Sequence, residues 1–292
     1  MRKIISWVLL GLGAFLLTTA ILTAVWAPGA LKKTPLNIDT TTYLSGEAEK
    51  INVKTGGTDT FPVKVTSITK TDSKASTDEV AVFQNATCVV NTAAGDTPDC
   101  VTGDDKRLVK ASEDAFATDR KTALAVPNQA KYIPDGTERE GIQNKFPFDA
   151  QKKTYPYWDG VLDRALDAKF AGATKLDGLE VYNYEVKVDQ EPATVTEGIE
   201  GLYSTDKVIT VEPVTGSIVN QTQHEVRTLK DGTTLLDLQV AFTDDQVKSG
   251  VEDGKKNSSG LKLLTSTVPL IGFILGPILI LAGAVLLRKS DA

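Results

Sequence analysis

Histidine and cysteine are nearly missing from this chain: its 292 residues include one histidine, His224, and two cysteines, Cys88 and Cys100. A tetrahedral zinc set needs four ligands, and a histidine-activated nucleophile needs its base close by, so neither is readily built from so few groups. His224 lies in the polar run Asn220 to Glu225 with no nucleophile motif beside it. The serine-hydrolase elbow, the paired-histidine zinc helix, the Walker loop and the dinucleotide glycine fingerprint are also absent. Ser-x-x-Lys spacings occur at Ser67/Lys70, Ser204/Lys207 and Ser259/Lys262. The first two fall in strand-like sequence, where positions three apart point to opposite faces, and the third in an expected linker. The chain therefore reads as non-enzymatic, with no cofactor and no metal expected. The acids Asp96, Asp99, Asp104 and Asp105 lack the spacing and closing glutamate of a calcium loop and read as a solvated loop.

Positive charge is also in short supply. Lys and Arg number 32 against 38 Asp and Glu, a net charge of −6, and the two termini are themselves basic, so the middle of the chain is more acidic still. Such a surface repels nucleic acid and anionic headgroups, and no nucleic-acid partner is expected.

What the sequence does hold is two long uncharged runs, Ile4 to Ala27 and Val268 to Leu287. As a helix the first would reach roughly 36 Å, enough for a bilayer core, and the second is equally long enough to span. Arg288 and Lys289 sit directly against the second run, whereas Arg2 and Lys3 are balanced by Lys32 and Lys33 across the first. Basic residues close to a span favour the cytoplasmic side. The expected layout is thus a cytoplasmic tail at 1–3, a span at 4–27, an extracytoplasmic domain at 28–266, a span at 267–287 and a cytoplasmic tail at 288–292, a two-pass cell-membrane protein. Val25 and Ala27 would suit a signal-peptide cut, but the apolar run exceeds a signal core and Pro28 would follow the cut. Gly272 and Gly276, with Ala20 and Ala24 as a counterpart, are spaced for close helix packing, although small residues are common in membrane helices generally. Pro277 is expected to kink its helix.

Between the spans the pattern is that of β-structure. Phe61, Val63 and Val65 alternate with polar residues, as do Tyr182, Tyr184, Val186 and Val188, and Leu236, Leu238, Val240 and Phe242. Turn pairs at Asp177–Gly178, Thr215–Gly216 and Asp231–Gly232 divide residues 179–242 into an antiparallel meander. The fold class expected is mainly β, a β-rich α+β ectodomain flanked by one transmembrane helix at each end. Thr243 and Gln246 read as a capping pair before a short helix, and Asn257 to Gly260 as a flexible link. Pro28 to Pro35 reads as a linker. Cys88 and Cys100 close a loop rich in Gly, Asp and Pro, which in an oxidising compartment predicts a disulfide.

Aromatic residues make up 7% of the chain, yet Phe146, Phe148, Tyr155, Tyr157 and Trp158 crowd into the segment Lys145 to Asp159 with Pro147 and Pro156. They either pin a long loop onto the sheet or line the rim of a ligand pocket. At this segment the sequence resembles the porin PorA family, an actinobacterial envelope family once known only as a domain of unknown function. The resemblance rests on Phe146-Pro147-Phe148, on Tyr155-Pro156-Tyr157-Trp158-Asp159, on Asp119-Arg120-Lys121-Thr122, on Gly178-Leu179-Glu180-Val181-Tyr182 and on Val211-Glu212-Pro213-Val214-Thr215-Gly216. It implies an envelope membrane protein with a channel label, although a membrane β-barrel would have no apolar helices. The layout is similar to that of the class B scavenger receptors, which pass lipid through an ectodomain tunnel. Three roles follow as expectations: an ectodomain that binds or passes an apolar envelope ligand such as lipid, a homo-oligomeric channel, or a scaffold subunit.

Overall fold

Ten strands, β1 (Asp39–Ile51), β2 (Thr58–Thr71), β3 (Val80–Asn91), β4 (Leu108–Asp119), β5 (Tyr155–Asp159), β6 (Arg164–Leu176), β7 (Leu179–Thr196), β8 (Ile199–Glu212), β9 (Ser217–Leu229) and β10 (Thr234–Phe242), form one antiparallel sheet. Its order is β4-β3-β2-β1-β10-β9-β8-β7-β6-β5, two meanders joined where β1 pairs with β10. The computed structural model describes residues 1–52, 56–196 and 198–291. Ala292 of the expected C-terminal tail lies outside them. The chain divides into two units, residues 34–254 with the sheet, and residues 1–33 with 255–291.

The sheet curls until its edges meet. Residues 124–126 pair with β4, through Val126 N–H donating to Ala117 O at 3.1 Å and Asp119 N–H to Leu124 O at 2.8 Å. Ala125 N–H then donates to Gly141 O at 2.7 Å, Ile142 N–H to Pro156 O of β5 at 2.8 Å, and Trp158 N–H to Ile142 O at 2.8 Å. This main-chain ladder turns an open sheet with two edges into a barrel and satisfies groups that an edge strand leaves bare. Gly141 is required in the seam. Its φ is +72°, and a Cβ there would stand 2.4 Å from Pro156 O. Toward the other end of β4 and β5 the seam is filled by a side chain, Arg139, whose guanidinium donates to Asp114 at 2.9 Å and lies 5.3 Å from the Trp158 ring.

Register assigns the inner face. Val63, Val65 and Val89, Leu44 and Ala48, and Leu236, Leu238 and Val240 form one apolar wall on β1, β2, β3 and β10. The opposite wall, on β5 to β8, is Tyr155, Tyr157, Leu166, Ala168, Tyr184, Val186 and Ile209. At one end Phe83 and Phe116 stack at 5.2 Å, and Leu36 and Ile38 pack against them as the chain enters the domain. The Cys88–Cys100 disulfide ties the loop between β3 and β4 to β3, with a Cα separation of 5.6 Å.

After the sheet comes a helix, α3 (Asp244–Lys262). Only half of the expected capping box forms: Thr243 Oγ1 accepts from Gln246 N–H at 3.3 Å, but the Gln246 side chain accepts from Tyr43 N–H instead. The helix is not short, and Asn257 to Gly260 lies within it, so the expected flexible link is helical. Tertiary packing overrides propensity here. A Cβ on Gly250 would stand 3.2 Å from Val219 O, and one on Gly254 2.9 Å from a Leu179 methyl, so both glycines let Val247 and Val251 settle onto the outer face of β7 and β9. Ser259 and Lys262 accordingly stand on one helical turn, both exposed.

In the second unit, α1 (Arg2–Val25), a helical turn α2 (Ala27–Leu31) in place of the expected linker, and α4 (Val268–Asp291) carry the apolar runs. A π-turn over Leu263–Thr267 precedes α4. Pro269 would press its ring on the carbonyl of Thr265 in a regular helix, and a wider turn relieves that clash. Both α1 and the helical run Asp244–Ser290 are long and apolar enough to cross a membrane. They pack antiparallel through small residues. A Cβ on Gly272 would lie 2.5 Å from Leu16 O and 2.6 Å from the Ala20 methyl, and one on Gly276 3.1 Å from Gly13 O. The α1 partners of these glycines are therefore Gly13 and Ala20, seven apart, in place of the expected Ala20 and Ala24. A seven-residue repeat on this seam is that of left-handed helix pairing.

Candidate functional site

The aromatic segment is drawn into the closed end of the barrel. Phe146 is 0% exposed, stacks on Tyr184 at 4.4 Å and meets Tyr155 edge-on at 5.4 Å. Tyr184 Oη donates to Gln151 O at 2.7 Å, while Gln151 N–H donates to Tyr155 Oη at 2.8 Å, so the loop is pinned through both phenols. Burial pushes the Tyr184 phenol well above its ordinary range. Tyr157 and Trp158 are buried, and Phe148 is half-buried beneath Lys145, whose Nζ is 3.6 Å from the ring centroid. Two motifs distant in sequence meet here: Phe146 N–H donates to Gly216 O at 2.8 Å and Ala150 N–H to Pro213 O at 2.7 Å. Gly216 has φ +75° and a Cβ there would lie 2.0 Å from Phe146 O, so the turn after β8 admits only glycine. Glu212, 1% exposed, holds that turn by accepting from Val214 N–H, Thr215 N–H and the Thr215 hydroxyl.

The other end is different in kind. Among the inward residues of β8 and β9 are Tyr203, Thr205 and Lys207, and Gln221, Gln223, Glu225 and Arg227. Glu225, 5% exposed, accepts from Arg227 Nε at 2.7 Å and from Gln223 Nε2 at 3.0 Å. Burial works to raise its pKa, but the charges of Lys110, Arg227 and Lys207 outweigh that and hold the carboxyl below its ordinary range. Lys110 is on β4, separated from β9 by four strands in the sheet, so its charge reaches Glu225 only across the barrel. Burial lowers the Lys110 ammonium's pKa. Asp159 accepts from Tyr203 Oη at 3.0 Å and from Val161 and Leu162 N–H at 2.9 and 3.0 Å.

At this end a cavity of about 560 Å³ opens between the ends of β1, β2, β3 and β4, lined among others by Lys50, Asp59, Phe61, Asn91, Lys106 and Val109. Phe61 and Val109 belong to the fringe of the apolar wall, so the cavity, mostly polar with Lys50, Lys106 and Asp59 in its lining, has an apolar margin. Of these residues only Phe61 stood out in the sequence, as part of a strand alternation. The available signal was β9, which carries polar residues at Gln221, Gln223, Glu225 and Arg227 on one face and at Thr222 and His224 on the other. Such a strand cannot face an apolar core. His224 itself points outward and bonds Asp237 at 2.9 Å. In the acidic loop, Asp99 pairs with Lys64 at 2.8 Å, and Asp96 and Asp105 with Arg107 at 3.0 and 2.8 Å.

The family model described as "Porin PorA" matches residues 5–285. The chain belongs to the porin PorA family. Porin PorA of Corynebacterium amycolatum is 35% identical over 95 residues, covering 28% of this chain and 25% of that protein. Porin PorA of Corynebacterium resistens is 30% identical over 97 residues, covering 28% and 24%. The chain thus spans about a quarter of the length of either relative. Porin PorA membership, with the two apolar helices, points to an envelope membrane and to a non-enzymatic role.

Proposed function

We propose that this protein is a two-pass membrane protein of the actinobacterial envelope whose barrel lies outside the cytoplasm and binds an amphiphilic envelope lipid at its open end. The observation that carries the reading is the cavity of about 560 Å³, a volume in the range of small-molecule sites, with Lys50 and Lys106 at its rim and Phe61 and Val109 leading to the apolar wall. A headgroup fits the first and the start of an acyl chain the second. In this reading Phe146 and Tyr155 build the closed end, Tyr157 and Trp158 are buried further along β5 beside Lys207 and Arg139, and only Phe148 keeps the surface access that ligand contact needs. The test is mass spectrometry of lipids co-purified with the full chain. About one amphiphile per protein is expected, and a preparation that folds with none counts against the reading.

The antiparallel pairing of α1 and α4 supports the two-pass arrangement, because it brings both chain ends to the same end of the helix pair. Cysteines introduced at Ser6 and Ser290 are expected to stay shielded from impermeant thiol reagents in intact cells, and labelling of either from outside overturns the orientation. The family description supports a second reading, an oligomeric channel. Discrete conductance steps from the purified chain in planar bilayers would favour it over lipid binding.

A further inference from the structure

We infer that the cavity at the open end selects an uncharged, hydroxyl-rich headgroup, the sugar of a glycolipid, over a phosphate. The inference rests on the reading of that end as a lipid site and names the headgroup chemistry the site takes.

Register fixes what the headgroup meets. Lys50 of β1 and Asp59 of β2 are directly opposed, and the next inward rows are Ala48 with Phe61 and then Val63 with Asn91. Ala48, Phe61 and Val63 belong to the apolar wall, so alternation puts Lys50, Asp59 and Asn91 on the same inner face at its open end. All three line the cavity, together with Lys106 and Phe61. A phosphate site gathers donors and keeps acceptors away, because an oxyanion accepts and does not donate. Here donors and acceptors are interleaved. The Asp59 carboxylate stands opposite the Lys50 ammonium and accepts from Asn52 Nδ2 at 2.9 Å, while Lys50 Nζ donates to Val109 O at 3.4 Å. Ala93 N–H donates to Asn91 Oδ1 at 2.8 Å, so Asn91 offers its NH2 group as a donor. A hydroxyl donates and accepts at once, so a ring of hydroxyls satisfies such a lining, whereas a phosphate meets the Asp59 carboxylate as a like charge. Lys50, Lys106 and Asp59 are all exposed, so their charges are met by water and call for no counter-ion from the ligand. The acidic domain as a whole works in the same direction, because it repels anionic headgroups. Phe61 adds the apolar element. Its ring lies where the polar lining gives way to the wall, and one face of a pyranose presents C–H groups that pack on such a ring.

The test uses the full chain in amphipol and isothermal titration calorimetry with four probes: dihexanoylglycerol, the same lipid with a glucosyl headgroup, dihexanoyl phosphatidate, and methyl glucoside as a free sugar. Wild type is expected to bind the glucosyl lipid about tenfold or more tighter than the phosphatidate. Asp59→Asn removes the charge and keeps the shape, so the two affinities are expected to move in opposite directions, the glucosyl lipid weakening and the phosphatidate tightening. A side chain with a merely structural role would weaken both alike. If wild type binds the phosphatidate or the bare dihexanoylglycerol as tightly as the glucosyl lipid, a comparison that needs no variant, the sugar site is overturned and the lipid reading stands. An unchanged preference in Asp59→Asn overturns the sugar site too. If methyl glucoside binds as tightly as the glucosyl lipid and dihexanoylglycerol does not bind, the sugar site stands and the lipid reading falls. Binding of none of the four overturns both.

Discussion

The two ends of the barrel are built from the same alternating strands and reach opposite solutions. At one end the inward positions are Phe83, Phe116, Phe146, Tyr155 and Tyr184, ring packed on ring, with polar atoms confined to phenols that find backbone partners. At the other they are Lys110, Asp159, Tyr203, Lys207, Glu225 and Arg227 beside an open cavity. The comparison teaches that a sealed end is stabilised by burial, whereas charges held inside the barrel must offset their desolvation by pairing with one another, as Glu225 does with Arg227.

Truncation should separate the ends most sharply. Phe146→Ala removes a ring that is fully buried, and is expected to cost about 3–5 kcal/mol in denaturant unfolding. Phe61→Ala, at the cavity, should cost far less because that ring is packed on one side only. Equal losses would erase the distinction between the ends.

The rim of the open end is held covalently. Cys88 and Cys100 are 12 residues apart, and closing a loop of that size contributes about 3 kcal/mol in the chain-entropy account. Reduction should therefore lower stability by roughly that much and speed amide exchange in residues 101–107, leaving exchange around Phe146 and Tyr184 unchanged. Two titratable thiols in the unreduced, denatured protein would remove the bond from the account altogether.

A pH-dependent effect lies at the sealed end. Burial pushes the Lys145 ammonium down to about 7 from an ordinary value of 10.5. Below pH 7 the folded and unfolded chains are both protonated there and the full cost is present. Between 7 and 10.5 the unfolded chain holds a proton that the folded one does not, so stability rises with pH through that window. Lys145→Met should accordingly raise the melting temperature at pH 6 and change it little near pH 11. The same gain at both pH values would mean that lost ammonium burial is not the cause.

How far the sequence discloses this difference depends on which physical signal each element carries. The strands β7, β8 and β10 are legible because Tyr182 to Val188, Val208 to Val211 and Leu236 to Phe242 present apolar residues to one side or both. The spans are legible from length and absence of charge alone. Helix α3 is legible only at its start, from Thr243 and Gln246, because Gly250, Gly254 and Asn257 to Gly260 have poor helical propensity, and it is contact with Val219 and Leu179 that favours small residues at two of those positions. Crowding of rings between Lys145 and Asp159 was readable as important, but whether they close an end or open a pocket depends on Gly216 and Tyr184, far away in the chain. The charged end is hidden for a simpler reason. Lysine and glutamate alternating with threonine look like the outside of a strand, and only closure of the seam at Gly141 and Ile142 turns that face inward.

Native mass spectrometry of the full chain released gently from its membrane tests the central claim most directly, with Phe61→Trp to fill the cavity and Phe146→Leu to disturb the sealed end alone. The account predicts a single amphiphile adduct on wild type and on Phe146→Leu, and its loss from Phe61→Trp. No adduct on folded wild type, or an adduct undiminished in Phe61→Trp, would contradict it.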